Sequence, residues 1–189
     1  AIIIPAKIEK IQGLKSLKNL KSVSVDVNNS RFSSYNGVLY NKNGKTLYGC
    51  PRSFNGNLKI KDGTEVISPG ALVDCYNITL VDFPSTIKSF SFRETSRMVL
   101  LETIIFRGNE PVKTAYNGND GKFVLQVANG DVKIVVQNNS KKDFKSALIK
   151  EAGEFSESTD TNSTPYIVKA DQLPKESNII GVKNFSKYN

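Results

Sequence analysis

The sequence predicts a mostly β fold with short helices, in which short repeats stack into a solenoid. Three segments share one apolar spacing, which is Leu20, Val23 and Val25, then Ile78, Val81 and Phe83, then Leu101, Ile104 and Phe106. The second and third segments lie 23 residues apart, as Phe83 and Phe106 show. A period of about 20–29 residues with this spacing is typical of a leucine-rich repeat.

The residues upstream of each predicted strand also repeat. Cys75 and Met98 hold equivalent positions, again 23 residues apart. Because a single repeat cannot bury its own apolar face, the repeats must stack on one another. We expect repeats at about 4–25, 60–83 and 83–106.

An insertion at residues 26–57 separates the first two repeats and predicts a β-hairpin. Its Asn36-Gly37 and Asn43-Gly44 pairs suit the positive φ angles of tight hairpin turns. Short β-prone runs follow each pair, at 38–40 and 46–48. We expect a hairpin or small meander that projects from the solenoid or extends it.

The repeat pattern decays after Phe106. Residues 132–136 predict a strand and residues 140–152 an amphipathic helix, which together predict a cap at 132–152. The leucine-rich-repeat domain is therefore expected to span 1–153. Residues 154–189 are expected to be a linker and tail with two weak strands, at 166–168 and 179–182. The tail either packs back on the repeats or opens a following domain.

Composition favours a binding protein over a catalyst. The net charge of +8 suits polyanionic partners such as nucleic acid or sulfated glycan. The alternative is a charge that serves solubility, since the lysines are scattered along the sequence.

No apolar run approaches the roughly 20 residues of a membrane span. The chain begins at Ala1 without methionine, from which we expect that a leader has been removed.

No residue pattern predicts catalysis, a cofactor or a metal site. The sequence has no histidine, which removes the commonest general base and argues against structural zinc. Asp74 with Asp82, or Glu94 with Glu102, could serve as the two carboxylates of a glycosidase. Pairs of acidic residues like these occur in any sequence of this length, so they do not indicate catalysis. The Asn- and Gly-rich run 117–121 lacks the spacing of an EF-hand and predicts a plain turn. We therefore expect a chain that is not an enzyme.

The two cysteines leave two alternatives. Cys75 lies at an inward position among apolar residues, which favours a buried thiol. Cys50 ends the hairpin beside Pro51, and a Cys50–Cys75 disulfide is the one possible intrachain bridge.

These repeats resemble the BspA-like (Treponema-type) leucine-rich repeats of bacterial surface proteins. Residues 60–84 match that pattern best, departing at Lys61, where proline is usual, and at Leu72, where phenylalanine is usual. The segment 28–42, NNSRFSSYNGVLYNK, is similar to the hairpin N-x-x-[YF]-x-S-x-x-G-V-L-Y-[ND]-K of that family. The resemblance covers about residues 4–147. It implies extracellular or cell-surface display and roles in adhesion and co-aggregation.

Partner-binding residues are expected on the outward side of the stacked strands, where alternation places every second side chain. These residues are Ser22, Ser24, Leu80, Asp82, Thr103, Ile105 and Arg107. Leu80 and Ile105 would anchor a partner through apolar contact, unless the hairpin or the tail covers them. The hairpin aromatics are the second candidates, unless they close the hairpin onto the repeats: Phe32, Tyr35, Tyr40 and Tyr48.

We therefore predict an extracellular or cell-surface binding module for a protein ligand, such as a host matrix protein or another surface protein. The first alternative is a structural spacer of a larger surface protein, which would fold and bind nothing. The second is an enzyme or a nucleic-acid binder. Binding to nucleic acid would weaken steeply with salt, because phosphate contacts release counterions.

Overall fold

The computed structural model describes residues 1–95, 97–108, 113–115, 126–127, 132–137, 166–167 and 179–182. In these residues, helical structure is limited to two 3-10 helices, Leu14–Ser16 and Phe92–Thr95. The strands of this part of the chain are β1 Ile2–Ile4, β2 Val23–Val25, β3 Phe32–Tyr35, β4 Val38–Asn41, β5 Thr46–Gly49, β6 Gly56–Lys59, β7 Val66–Ile67, β8 Ile78–Phe83, β9 Ser89–Ser91, β10 Thr103–Phe106, β11 Lys113–Ala115, β12 Gln126–Val127, β13 Lys133–Gln137, β14 Tyr166–Ile167 and β15 Ile179–Val182.

Two sheets run along the stack. Sheet I has the order β15-β13-β10-β8-β6, and all its strands are parallel. Sheet II has the order β11-β9-β7-β5-β4-β3. Its strands β5, β7, β9 and β11 are parallel to one another. Leu58 pairs with Val81 and Val81 with Ile104, so the register is 23 residues in each step. This geometry confirms the leucine-rich-repeat solenoid.

The same turn precedes β2, β8 and β10, which explains the recurring apolar spacing. Two positions in each repeat, three residues apart, carry a backbone amide that donates to the carbonyl three residues earlier. The equivalent donors are Leu17, Cys75 and Met98, followed by Leu20, Ile78 and Leu101. A side chain at each position therefore returns to the same side of the stack.

The stack extends further upstream than the repeats that the sequence indicates. β5 pairs with β7 and β6 with β8, both in parallel, although residues 46–57 were expected in the hairpin insertion. The offset from Thr46 to Val66 is 20 residues, shorter than the usual repeat. β6 buries a single apolar side chain, that of Leu58. This solenoid turn therefore leaves little trace in the apolar pattern.

The predicted hairpin is confirmed, and it extends sheet II. β3 and β4 pair in antiparallel fashion, and the turn residues Asn36 and Gly37 have φ of 48° and 79°. β4 is buried on both faces. Leu39 packs into a small N-terminal core, whereas Tyr40 packs into the main core. The hairpin therefore separates two hydrophobic cores.

The first repeat stacks on the hairpin. Among the described strands, β2 pairs with β1 alone, in parallel. The amide of Val23 donates to the carbonyl of Gly37 at 2.8 Å. A Cβ atom at Gly37 would lie only 2.9 Å from the Cβ of Ser22, so glycine permits this contact. The small core consists of Ile4, Leu20, Val23, Phe32 and Leu39.

The C-terminal part is described in pieces. The strand expected at 132–136 is confirmed as β13, and those expected at 166–168 and 179–182 correspond to β14 and β15. β15 pairs in parallel with β13, so this piece of the tail adds a strand to sheet I. The helix expected at 140–152 lies outside the described residues.

Asn29 fastens the first repeat to the hairpin. Its fully buried side-chain amide donates to the carbonyls of Pro5 and Ile8, both at 2.9 Å. Its Oδ1 accepts from the amides of Arg31 and Phe32, at 2.9 and 2.8 Å. One side chain thus forms two hydrogen bonds to the first repeat and two to the start of the hairpin.

We expect Asn29→Ala to lower the free energy of unfolding by about 2–3 kcal/mol, because it leaves buried backbone groups without partners. Urea denaturation measures the loss. The matched control is Asn28→Ala, since Asn28 is exposed. An equal effect of the two substitutions would contradict the role given to Asn29.

Candidate partner-binding site

The strand face predicted from the sequence is only partly accessible. The register places Asn57, Leu80 and Thr103 in one row across sheet I. Leu80 and Thr103 are half-buried, so this row keeps some free surface. Ser22 is half-buried and Ser24 exposed, but both belong to the first repeat, whose strand does not join sheet I. The structure therefore does not bring the seven predicted residues together.

The expectation that Ile105 presents an exposed anchor is wrong. Ile105 is 0% exposed, although the alternation places it opposite Ile104 and Phe106, which belong to the main core. Its register partners Asp82 and Val135 are also buried. This row of sheet I is therefore covered, which the sequence left open as an alternative.

Asp82 and Arg107 bind each other. The guanidinium donates from Nε to Oδ1 and from a terminal nitrogen to Oδ2, both at 2.7 Å. Asp82 is 2% exposed, so it offers no free surface to a partner. Its hydrogen bond and charge raise the pKa of Arg107 above the ordinary value. Asp82 is thus a structural residue in this face.

The expectation that Tyr40 is an exposed contact residue is also wrong. Tyr40 is fully buried because β4 is sandwiched between the two cores. Its hydroxyl accepts a hydrogen bond from the amide of Lys61 at 3.2 Å, and burial raises its pKa. Tyr35 is half-buried and packs against the main core. Of the hairpin tyrosines, Tyr48 is the exposed one, at 44%.

A pocket of about 450 Å³ opens where the first repeat meets the hairpin. Residues 9–15 form one wall, and the floor and opposite wall come from Phe32, Leu39, Tyr48 and Gly49. The rings of Phe32 and Tyr48 meet edge to face, with centroids 6.0 Å apart. The pocket therefore offers an aromatic, largely apolar surface in a concave site.

The wall formed by residues 9–15 is held at both ends. Asn29 binds the turn that precedes it, and the 3-10 helix Leu14–Ser16 closes it. Leu14 packs against the small core. A Cβ atom at Gly49 would lie 2.9 Å from Cδ2 of Leu14, so a larger residue there would displace the Leu14 side chain. The pocket is thus a preformed feature of the fold.

The segment that supplies one wall of the pocket is rich in lysine. The first 25 residues contain five lysines and one acidic residue, Glu9, and all six side chains are exposed. Lys10 and Lys15 belong to the pocket wall. The remaining lysines of this segment are Lys7, Lys18 and Lys21.

Glu94 illustrates how the acidic residues of the stack are used. Its buried carboxylate accepts from the amides of Gly70 and Leu72, the latter at 2.7 Å. Burial raises the pKa of Glu94, against the effect of these amides and of the Lys15 charge. Its carboxylate therefore ties two neighbouring repeats together.

Asp74 is likewise engaged within the stack. It forms ion pairs with Arg97 at 3.1 Å and Arg52 at 3.6 Å, and it accepts from the Tyr76 hydroxyl. In the described ranges, no three His, Cys, Asp or Glu side chains group in a way that could hold a metal.

Cys50 and Cys75 are free and buried, as the first of the two alternatives predicts. Burial raises the pKa of the Cys50 thiol, and the neighbouring Cys75 raises it further. The Cys75 thiol lies 3.7 Å from the carbonyl oxygens of Cys50 and Pro51. Both thiols thus pack between adjacent repeats.

The fold recurs in solved structures, whereas no protein-family model and no curated protein matches the sequence. The pneumococcal vaccine antigen PcpA is similar at a TM-score of 0.50 and 18% identity, over 72% of this chain and 38% of PcpA. A leucine-rich repeat protein from Eubacterium ventriosum is similar at a TM-score of 0.48 and 19% identity, over 73% of this chain and 42% of that protein. The chain therefore spans less than half of either protein.

At this identity, the similarity to PcpA concerns the fold alone.

None of the helices in the described part of the chain is long and apolar enough to cross a membrane.

We expect Asp82→Asn to lower the free energy of unfolding by about 2–3 kcal/mol. Removing one partner of a buried pair costs about 3–5 kcal/mol, and Arg107 keeps some contact with solvent. Chemical denaturation measures the loss. The control is Glu65→Gln, which removes the exposed pairs of Glu65 with Lys45 and Lys88 and should cost much less. Equal losses in the two variants would show that burial of the Asp82–Arg107 pair does not increase its contribution to the free energy of unfolding.

The pH dependence of stability tests Glu94. Its raised pKa means that the folded state holds this proton more tightly than the unfolded chain does. Its contribution is therefore present below the ordinary value of 4.5 and is lost as pH rises through the raised pKa.

Relative to Glu94→Gln, the wild-type protein should gain stability as pH falls from 7 towards 4.5. Glu65→Gln provides a control of opposite sign, because two lysines lower the pKa of Glu65. Denaturation curves across this pH range measure both effects. A constant difference between wild type and Glu94→Gln would refute the assignment.

Proposed function

We propose that this chain is a non-catalytic protein-binding module that acts outside the cell, in adhesion or in contact with another surface protein. The pocket between the first repeat and the hairpin carries this proposal. It joins an exposed tyrosine to a concave apolar floor on a preformed frame. Protein interfaces place their strongest contacts in such sites, where an aromatic or aliphatic anchor is removed from water.

The chemistry of the pocket lining supports binding over catalysis. The lining lies wholly within the described residues, and its ionisable groups comprise Glu9, Lys10, Lys15 and the phenol of Tyr48. The nearby carboxylate of Glu94 is bonded to backbone amides. All four of these lining groups are exposed at the rim of the pocket, which favours contact with the surface of a partner.

The extracellular location rests on the sequence. The hairpin segment 28–42 and the repeat at 60–84 resemble those of BspA-like bacterial surface proteins. A protein ligand exposed on a host or on a neighbouring cell would meet the module there.

A structural spacer is the second candidate. The burial of Asp82 and Ile105 favours it, because it leaves less free surface on sheet I than alternation predicts. A spacer would fold independently and bind nothing, so binding measurements separate the two functions.

The test is surface-immobilised binding of the full chain to host matrix proteins, heparin and duplex DNA, at low and high salt. We expect a protein ligand that still binds at high salt. Tyr48→Ser should weaken it about tenfold or more, since truncating a central anchor costs about 2 kcal/mol or more. Val66→Ser removes a comparably exposed apolar side chain of sheet II outside the pocket and should have no effect.

Binding to heparin and DNA alone, lost at high salt, would replace the proposal with polyanion binding through net charge. No binding to any ligand would favour the spacer.

A further inference from the structure

We infer that the pocket selects an acidic segment of a partner polypeptide, in which a large apolar side chain is flanked by aspartate or glutamate. This inference rests on the proposed protein-binding function and specifies the chemistry of the partner. It follows from the two unlike walls of the pocket. One is aromatic and apolar, with Phe32 and Tyr48, and the other carries two lysines, Lys10 and Lys15, against one acidic residue, Glu9.

The apolar wall fits one side chain well. Phe32 and Leu39 are themselves buried, so they offer the ligand a shallow floor, and Tyr48 forms an exposed side. A volume of about 450 Å³ lies at the small end of the range for ligand pockets, about 300–1,000 Å³. A single aromatic or long aliphatic side chain suits such a site.

The apolar surface continues beyond the pocket, as a peptide requires. Ile8 directly precedes the wall segment and is 39% exposed, and Leu17 lies two residues after it and is 45% exposed. Two accessible apolar side chains beside a pocket provide contacts for an extended chain. A small molecule held inside the pocket would not use them.

The charge identifies the flanking residues. The five lysines of the first 25 residues are exposed, and within the described part of the chain none of them forms a salt bridge, although the charge of Lys15 acts on the buried carboxylate of Glu94. Glu9 and the adjoining Asp26 offset two of these five charges. Carboxylates beside the anchor would complement this surface and would speed association, whereas lysine or arginine there would be repelled. Complementary charge therefore favours an acidic partner.

The lysines alone would also suit a polyanion, but the aromatic floor of the pocket favours an acidic polypeptide over a polyanion. Sulfated glycans and phosphate backbones gain most of their affinity from charge. In a duplex the bases are stacked inside the helix, and a sulfated glycan carries no aromatic or aliphatic side chain, so neither presents a flexible apolar group to the floor at Phe32 and Tyr48. A polypeptide supplies both features in adjacent residues.

The experiment is selection of a random-peptide phage library on the immobilised full chain, followed by sequencing. Parallel selections use Tyr48→Ser and Lys10→Glu. Their matched controls are Val66→Ser and Lys42→Glu, which change an exposed apolar residue and an exposed lysine outside the pocket. Thermal melts verify that each variant is folded, and Lys10→Glu, at an exposed position, keeps the test valid if Tyr48→Ser unfolds.

We expect enriched peptides to carry an aromatic or large aliphatic residue flanked by Asp or Glu. A synthetic copy of one such peptide should bind about tenfold more weakly to either pocket variant and with wild-type affinity to both controls. Its affinity should also fall as salt rises, because the flanking contacts are electrostatic.

Enriched peptides that are uncharged or basic, or that bind the pocket variants as well as the wild type, would overturn the inference while protein binding stands. An absence of any enriched peptide would also overturn it. If the matrix proteins bind nevertheless, the proposed function survives through another surface. If neither peptides nor proteins bind, the proposed function fails as well.

Discussion

Stacking of equivalent residues from neighbouring repeats is the constraint on which the structure depends. Parallel strands in a 23-residue register place equivalent positions of successive repeats beside each other. A side chain that packs well in one repeat therefore contacts its equivalents in the neighbouring repeats. Phe83 and Phe106 stack with centroids 5.0 Å apart inside the core. On the surface, Tyr76 lies between Arg52 and Arg97, at 5.7 and 5.9 Å. The same register thus organises both the interior and the turns.

The hairpin interrupts this register and thereby creates the candidate site. β4 has a core on each side, so the small core of the first repeat packs on the hairpin, and Ser53 of the next turn meets the first repeat by donating to the carbonyls of Lys18 and Leu20. Asn29 and the approach of Leu14 to Gly49 fix the resulting junction. Two curved surfaces that meet in this way leave a concavity, whereas successive regular repeats fill the space between them. The pocket is a consequence of the insertion.

The periodic part of the fold follows from local sequence, and the site does not. The spacing of Val81 and Ile104 and the Asn36-Gly37 turn depend on nearby residues, so pattern analysis predicts β8, β10 and the hairpin. The burial of Ile105 and Tyr40 depends on what covers a strand's second face, and alternation carries no information about that. Phe32 and Tyr48 were candidates by residue type alone. Their pocket requires a wall from residues 9–15, which only the folded chain brings there.

The first repeat shows why positions that are buried in the other repeats are left exposed here. Ile8 is equivalent to Ile87, and Leu17 to Met98, by the hydrogen bonds of their turns. Ile87 and Met98 are buried in the main core, whereas Ile8 and Leu17 are exposed. The repeat pattern demands apolar residues at these positions, but the hairpin, which lies beneath the first repeat, does not cover them. Apolar side chains are thus left in water beside five lysines, and a partner that buries them recovers the free energy that the later repeats gain from one another.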